Sequence, residues 1–418
     1  MNPQTTSVMK AITVQHEDPI SLQRASTVQP VDQLFLAMIA MLIAVGVLFV
    51  DSSSMTSASR PEESIQLSKH LIFLGIGLAA GLVAASLPER FWIWLAPVIY
   101  LATIALLVMV LLPAFGHRVN GAQRWIRFGS WSLQPSEIAK LSVPMMVCAY
   151  RFRYRDRLSS PKLVDFVSIV LIGGLPVSLI ILEPDLGTSL FICCGIVLVL
   201  FLTGWPKWHF LVAGLMCVPM IVGLIILHPY QLARIKGFIQ TWTNPTEAPY
   251  QVRQSLTSLG VGGLSGTGLG RGWQKLSFLP EADTDFVFAA VGEELGLLGT
   301  LGVVVLWCGL YSTGHRMLSR STACSFRVVA GTTILTLLIF QAAINVAVVT
   351  AMVPPKGISH PFLSYGGSNL VMSLFSLGVF WSLTRSESGA EILHRSVEDQ
   401  NELFEENSSE AIEVTADG

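Results

Sequence analysis

Three carboxylates within five positions, Glu281, Asp283 and Asp285, stand where a polar segment gives way to an apolar run. Mutual repulsion and partial desolvation raise carboxylate pKa values, which moves one of them towards a useful general base. A divalent cation held between them does the reverse and takes oxygen ligands. A solvated interfacial turn, its acids favoured by the dipole of the helix that follows, accounts for the same spacing. Glu293 and Glu294 lie two turns deeper in the run. Solvation is hard to supply there, so partners are expected among nearby lysines and arginines.

Further polar groups gather in three segments. VNGAQRWIRFGSWSLQPSEIAK, Val119 to Lys140, carries Arg124 and Trp125, then Pro135 at a helix start with Ser136 able to cap it. Glu137 and Lys140 are three apart, hence on one helical face and close enough to pair; a structural ion pair explains them as well as a binding role. The second segment, His228 to Thr284, is roughly 57 residues long, and connections of that length tend to be functional or disordered. Its glycine run, GVGGLSGTGLGRG, does not follow a strand, so it is no dinucleotide fingerprint. Close backbone approach and simple flexibility both account for it. Arg271 and Lys275 follow directly and can hold an anionic group such as a phosphate. The third segment, Met352 to Leu370, offers Lys356, Ser364 and Tyr365 around two prolines and a Gly366-Gly367 pair. An ordinary turn between helices explains it equally.

The elements that must position these groups are membrane helices. Of 418 residues 52% are hydrophobic and 13% charged, about half the charged fraction of a soluble domain, and the mean hydropathy is +0.60. A net charge of −2 argues against nucleic acid, which needs a basic surface. The cysteines (Cys148, Cys193, Cys194, Cys217, Cys308 and Cys324) lack zinc-site spacing and read as small buried residues. No cleavage site follows a short apolar core in the first ~30 residues, against a cleaved signal peptide. Runs long enough to cross the bilayer recur at 32–50, 70–88, 91–113, 136–150, 163–182, 187–204, 208–227, 285–311, 328–352 and 367–384. The expected fold is therefore an all-α polytopic membrane protein of about ten transmembrane helices, with a large extracytoplasmic loop between helices 7 and 8.

Short basic connections orient the chain. Arg151, Arg153, Arg155, Arg157 and Lys162 follow the fourth helix, and Arg316, Arg320 and Arg327 the eighth. That side is read as cytoplasmic, with both termini on it. Residues 1–31 form a cytoplasmic segment and 32–384 the transmembrane domain. Loops 114–135, 228–284 and 353–366 face outward. The acidic tail 385–418 reads as disordered. No internal repeat is visible, which disfavours inverted-repeat transporters.

Several segments in register resemble the SEDS family of bacterial membrane proteins, the shape, elongation, division and sporulation group that includes FtsW, RodA and SpoVE. They are VNGAQRWI, LQPSEIAK, EPDLGTS at 183–189, YQVRQSL, GLSGTGLG, LPEADTDFVFAAVGEELG and PPKGISHPFLSYGGS. PEA followed by TDF, Gly292 before Glu293-Glu294, and Lys356 in PPKG look more like the division type than the elongation type. The resemblance implies a peptidoglycan glycosyltransferase that polymerises lipid II, a disaccharide pentapeptide on undecaprenyl pyrophosphate, at the outer face of the bacterial cytoplasmic membrane. The family's essential aspartate falls on Asp285, expected to act as general base. Arg124, Glu137, Lys140, Gln251, Gln254, Lys275, Glu281, Asp283, Lys356 and Ser364 are the substrate-binding candidates. A divalent cation (Mg or Mn), with ligands unassigned, a class B penicillin-binding protein transpeptidase, other division-complex proteins and membrane lipid are the implied companions. A lipid II flippase and a membrane scaffold for the transpeptidase are the alternative readings. Asp283 stands where the family commonly has His, which adds a negative charge beside the base. His360 replaces an apolar residue, Pro355 a threonine and Asn244 an aspartate, and Gln231 occupies a position that is often basic.

Overall fold

The computed structural model describes residues 30–54, 64–119, 122–129, 131–154, 163–227, 229–274, 278–319 and 325–385. Lys275, the basic residues 155, 157, 162 and 320, Cys324, and nearly all of the N-terminal segment and acidic tail lie outside them. Leu34–Thr384 form one compact unit.

Each of the ten expected spans is a helix. In chain order they are α1 (Pro30–Ser54), α2 (Ser64–Ser86), α3 (Glu89–Leu111), α4 (Pro135–Arg153), α5 (Leu163–Leu182), α6 (Leu186–Leu202), α7 (Lys207–Leu227), α10 (Val287–Leu318), α11 (Phe326–Val349) and α12 (Gly367–Thr384). Eight of the described helices are long and apolar enough to cross a membrane. The two that fall short are α6, at 17 residues, and α4, which carries Glu137, Lys140, Arg151 and Arg153. α10 begins at Val287, so Asp285 sits ahead of the helix. Large apolar side chains such as Leu82, Leu171, Leu215 and Leu227 project outward, as lipid-facing residues must.

Small residues bring the helices close. Gly77 and Gly81 on α2 form a G-x-x-x-G face. A Cβ on Gly378 of α12 would stand 2.1 Å from the Gly81 carbonyl oxygen, so only glycine permits that crossing. A second core joins Tyr100 and Leu107 of α3, Ala139 and Val143 of α4, Val177 and Ile180 of α5, and Ile192 of α6.

The connections hold more structure than the sequence suggested. Segment 114–135 contains an antiparallel sheet, β1 (Gly116–Val119), β2 (Ala122–Phe128) and β3 (Trp131–Leu133), in the order β1-β2-β3. Strand alternation puts Arg124 and Ile126 on one face, and Ile126 is buried. Segment 228–284 contains α8 (Pro229–Thr243), a 3-10 turn (Pro245–Glu247) and α9 (Tyr250–Gly262). At the start of α4 the N-cap is Gln134, which makes no side-chain cap bond; the Ser136 hydroxyl instead accepts from Gln134 Nε2 at 3.0 Å.

The glycine run is explained by close approach. α10 breaks at Gly296 (φ 66°, ψ −161°), which frees backbone groups that need partners. The run supplies them: Thr267 N–H donates to Glu293 O at 3.0 Å and Gly268 N–H to Glu294 O at 3.0 Å, while Leu297 N–H donates to Gly263 O at 2.9 Å. A Cβ on Gly262 would lie 1.9 Å from Gly292 O, and one on Gly266 2.0 Å from Glu294 O.

Candidate active site

The turn before α10 is a compact fold of acids. Thr284 N–H and Phe286 N–H both donate to Glu281 O, at 3.2 and 3.1 Å, and the Thr284 hydroxyl donates to Glu281 Oε2 at 2.8 Å. Glu281 takes positive φ (56°) and is exposed, whereas Asp285 is drawn inward. Segment 353–366 docks onto this turn. Tyr365 N–H donates to Asp283 O at 2.7 Å, and the Ser364 hydroxyl donates to Thr284 O at 2.5 Å while accepting His360 N–H at 2.7 Å. Ser364 is buried with its hydroxyl committed on both sides, so it shapes the site rather than meeting a ligand. Gly357 passes directly over the carboxylate, where a Cβ would stand 2.9 Å from Asp285 Oδ2.

Burial pushes the Asp285 carboxyl up to about 6. Glu281 and Asp283 raise it further, while Arg234 and a hydrogen bond from Ser359 oppose them. Asp283 is itself raised, by burial first. The charge at position 283 thus adds to the basicity of its neighbour. Cations approach from two elements. Arg234 on α8 donates to Pro355 O at 3.1 Å and to the Tyr230 hydroxyl at 2.6 Å. Lys356 feels Asp185 and Arg234, and burial lowers its pKa. Its stem crosses the start of α6, where a Cβ on Gly187 would lie 3.4 Å from Lys356 Cδ.

Arg124 reaches from β2 to the turn between α5 and α6. It donates to Glu183 O at 3.0 Å and Pro184 O at 2.6 Å, and lies 4.0 Å from Asp185 Oδ2. Asp185 caps α6 by accepting from Thr188 N–H at 3.2 Å and the Thr188 hydroxyl at 3.0 Å. Glu183 is fully buried, and neither carboxyl oxygen has a hydrogen-bond partner among the described residues. Burial, then Asp185, push it up to about 9 against the pull of Arg124; it is a neutral acid at physiological pH. Glu137 and Lys140 do pair, at 2.6 Å, and Lys140 also donates to Gln341 Oε1 at 2.9 Å. They line a cavity of about 40 Å³ between α4, α11 and α12, room for a few waters.

Gln251 and Gln254 lie half-buried on α9, and no hydrogen bond among the described residues ties either to Asp285. Glu293 and Glu294 are buried and held by groups the sequence did not suggest. Gln274 N–H donates to Glu293 Oε1 at 2.8 Å. Ser52 of α1 donates to Glu294 at 3.0 Å, with Gly272 N–H at 3.4 Å. His360 stacks in parallel on Phe288 at 6.4 Å and lies 5.6 Å from Trp307. Burial pulls its pKa down to about 4, so it serves as a neutral aromatic in place of an apolar residue. Among the described residues no three His, Cys, Asp or Glu side chains converge to hold a metal ion. Arg234, Glu183, Gln341 and Asn345 are the site residues the sequence reading missed. Glu183 was visible only inside the EPDLGTS match, and the others carried no local signal.

Comparison with known proteins follows the same outline. The family model FTSW_RODA_SPOVE, described as cell cycle protein, matches residues 32–389. The probable peptidoglycan glycosyltransferase FtsW of Coxiella burnetii is 37% identical over 344 residues, 81% of this chain and 92% of that one. Its counterpart from Trichlorobacter lovleyi is 35% identical over 361 residues, 84% and 93% of the two chains. Among solved structures, the rod shape determining protein RodA of Thermus thermophilus aligns with TM-score 0.60 at 26% identity, covering 84% of this chain and 95% of that one. A chain from a structure on coordination of polymerization and crosslinking by a peptidoglycan synthase complex aligns with TM-score 0.66 at 26% identity, covering 84% and 96%.

Proposed function

Because this chain belongs to the FtsW/RodA/SpoVE family of cell cycle proteins, we propose that it is a peptidoglycan glycosyltransferase in which Asp285 is the general base. The observation that carries the assignment is the Asp285 carboxyl, pressed under Gly357 ahead of α10 and pushed up to about 6. At neutral pH it is ionised yet basic enough to take a proton, which is the balance general-base catalysis needs.

In the reaction, a sugar hydroxyl of one lipid II unit or chain attacks the anomeric carbon of another. The new C–O bond forms as the bond to undecaprenyl pyrophosphate breaks, and the hydroxyl proton passes to Asp285. Charge grows on the departing pyrophosphate, and Lys356 and Arg234 are the cations near Asp285 that would offset it. Arg124 and Lys140 are largely committed to the α5–α6 turn and to Glu137, so their part is to hold the walls. Among the described residues the carboxylates alone do not build a cation cage; a divalent ion bound here would share its oxygen ligands with substrate phosphates.

The site end of the bundle is read as extracytoplasmic. Arg151 and Arg153 close α4 and Arg316 closes α10 at the ends remote from Pro135 and Val287, which supports a cytoplasmic membrane protein with both termini inside. A class B penicillin-binding protein is the partner we assign, in line with the polymerization and crosslinking complex among the structural neighbours. A flippase would need its crucial charge along a path through the bilayer, whereas Asp285 lies ahead of α10, at the helix end.

The test is polymerisation of labelled lipid II by purified full-length protein with its cognate transpeptidase. Wild type should give long glycan strands. Asp285→Asn, folded and complexed equally well, should lose on the order of 100-fold or more in rate. Equal polymer from both would overturn the assignment.

A further inference from the structure

Gln341 and Asn345 stand one helical turn apart on α11 and are 4% and 1% exposed. A primary amide buried in an apolar helix is costly unless its donors and acceptor are used. Gln341 Oε1 accepts from Lys140 at 2.9 Å, and its Nε2 donates to Ser359 O at 2.9 Å and Asn369 Oδ1 at 2.8 Å. Asn345 Nδ2 donates to Asp285 O at 2.8 Å and to Ile358 O at 2.9 Å, while its Oδ1 has no hydrogen-bond partner among the described residues, so its donors are what its burial serves. Between them the two amides hold consecutive carbonyls of the segment 358–359, and Asn345 also holds the backbone of Asp285. That segment is the one that lays Gly357 over Asp285 Oδ2 and brings the Ser359 side chain near enough to oppose the rise in the carboxyl's pKa.

We propose that Gln341 and Asn345 are positioning residues for glycosyl transfer: an amide pair on α11 that locks the Gly357–Ser359 segment against Asp285 and ties it, through Lys140, to the Glu137 ion pair. The inference rests on Asp285 being the base. Neutral amides suit the task, since each fixes two backbone carbonyls or a carbonyl and a side chain without placing a charge beside Asp285. The charged groups that do surround it are Glu281 and Asp283 on its own turn and Arg234 from α8. Glu137 and Lys140 from α4 act only through Gln341. A base misplaced by an ångström loses rate on the order of 100-fold without losing substrate affinity, so the pair should register in kcat rather than KM.

Gln341→Met and Asn345→Leu keep side-chain bulk and remove the donors; Ser359→Ala and Ser359→Thr remove and restore one hydroxyl. Full-length variants with the cognate transpeptidase are assayed on labelled lipid II across concentration and pH, with thermal unfolding as the folding control. The expected result is a fall in kcat on the order of tenfold or more for both amide variants, KM within about twofold, and an acid limb displaced to higher pH in Ser359→Ala but not in Ser359→Thr. Folded amide variants with wild-type kcat, or with a raised KM alone, overturn the proposal. Should one amide variant not fold, wild-type kcat in the other overturns it. Asp285→Asn run alongside separates the premises: if it polymerises like wild type, the base assignment fails. If it is inactive while the amide variants are unimpaired, only the positioning role fails.

Discussion

At the scale of single residues, the pH response of the enzyme should be written in the ring of charges around Asp285. The group works ionised, so activity rises with pH through its pKa, near 6. Burial is the largest cause of that raised value, then Glu281; Arg234 opposes them, and Asp283 adds to them. Removing a like charge lowers the pKa, so Glu281→Gln and Asp283→Asn should move the acid limb of polymerisation to lower pH, the first further than the second. Arg234→Gln should move it up. Rate against pH for the three variants checks the order, and a limb that moves the same way in all three would contradict it. The stability sign is opposite in sense to that of a salt-bridged acid. The native state holds this proton more tightly than the unfolded chain, so Asp285 costs stability as pH climbs from the ordinary carboxylate range to about 6. Asp285 stood out in the sequence because two like charges, Glu281 and Asp283, stand beside it in the chain and because a matched motif contains it. Asn345, 60 residues away, did not; its sequence surroundings are those of any apolar helix, and only the docking of segment 353–366 gives it a task. Glu183 lay inside a matched motif but drew no notice there; its burial without a hydrogen bond to its carboxyl among the described residues belongs to the packed structure.

At the scale of elements, the glycine run and the break in α10 form one device. Gly266 has φ 79°, and any Cβ there would meet the Glu294 carbonyl at 2.0 Å. Gly266→Ala should therefore cost about 1–3 kcal/mol from strain and overpacking, seen as earlier thermal unfolding of the purified protein. Gly260, inside α9 with no atom near its virtual Cβ, is the control. Gly260→Ala should be neutral or stabilising by up to ~1 kcal/mol. Equal effects at the two positions would mean the run is a flexible linker after all. That ambiguity was real in the sequence, because glycine density reports permitted conformations and not which partner comes close. The eight long apolar helices were legible for the opposite reason: some twenty consecutive apolar residues have few other places to go. The sheet in 116–133 and the helices α8 and α9 escaped notice because short, mixed segments at an interface carry no clean period. Arg124 owes its aim at the α5–α6 turn to strand alternation in β2, a register no composition argument could supply.

At the scale of the whole molecule, the bundle separates two chemistries by its length. Segments 114–135, 228–284 and 353–366 join helix ends at which the acids, Lys356 and Arg234 collect, while Arg151, Arg153 and Arg316 mark the opposite ends of α4 and α10. A lipid-linked substrate presents its sugars at the membrane surface, so a working site must lie on one face and not at the midplane. The basic ends support the proposed face, because short connections rich in Lys and Arg favour the cytoplasmic side. Thiol labelling tests this directly. In a background freed of native cysteines, Trp273→Cys, on the site side and 74% exposed as tryptophan, should react with a membrane-impermeant maleimide in intact spheroplasts. Arg316→Cys, exposed at the far end of α10, should react only after the membrane is opened. Labelling of position 316 in sealed spheroplasts would invert the orientation and place Asp285 in the cytoplasm. Polymerisation would then have to precede export of the strand, and the proposed extracytoplasmic site would be wrong.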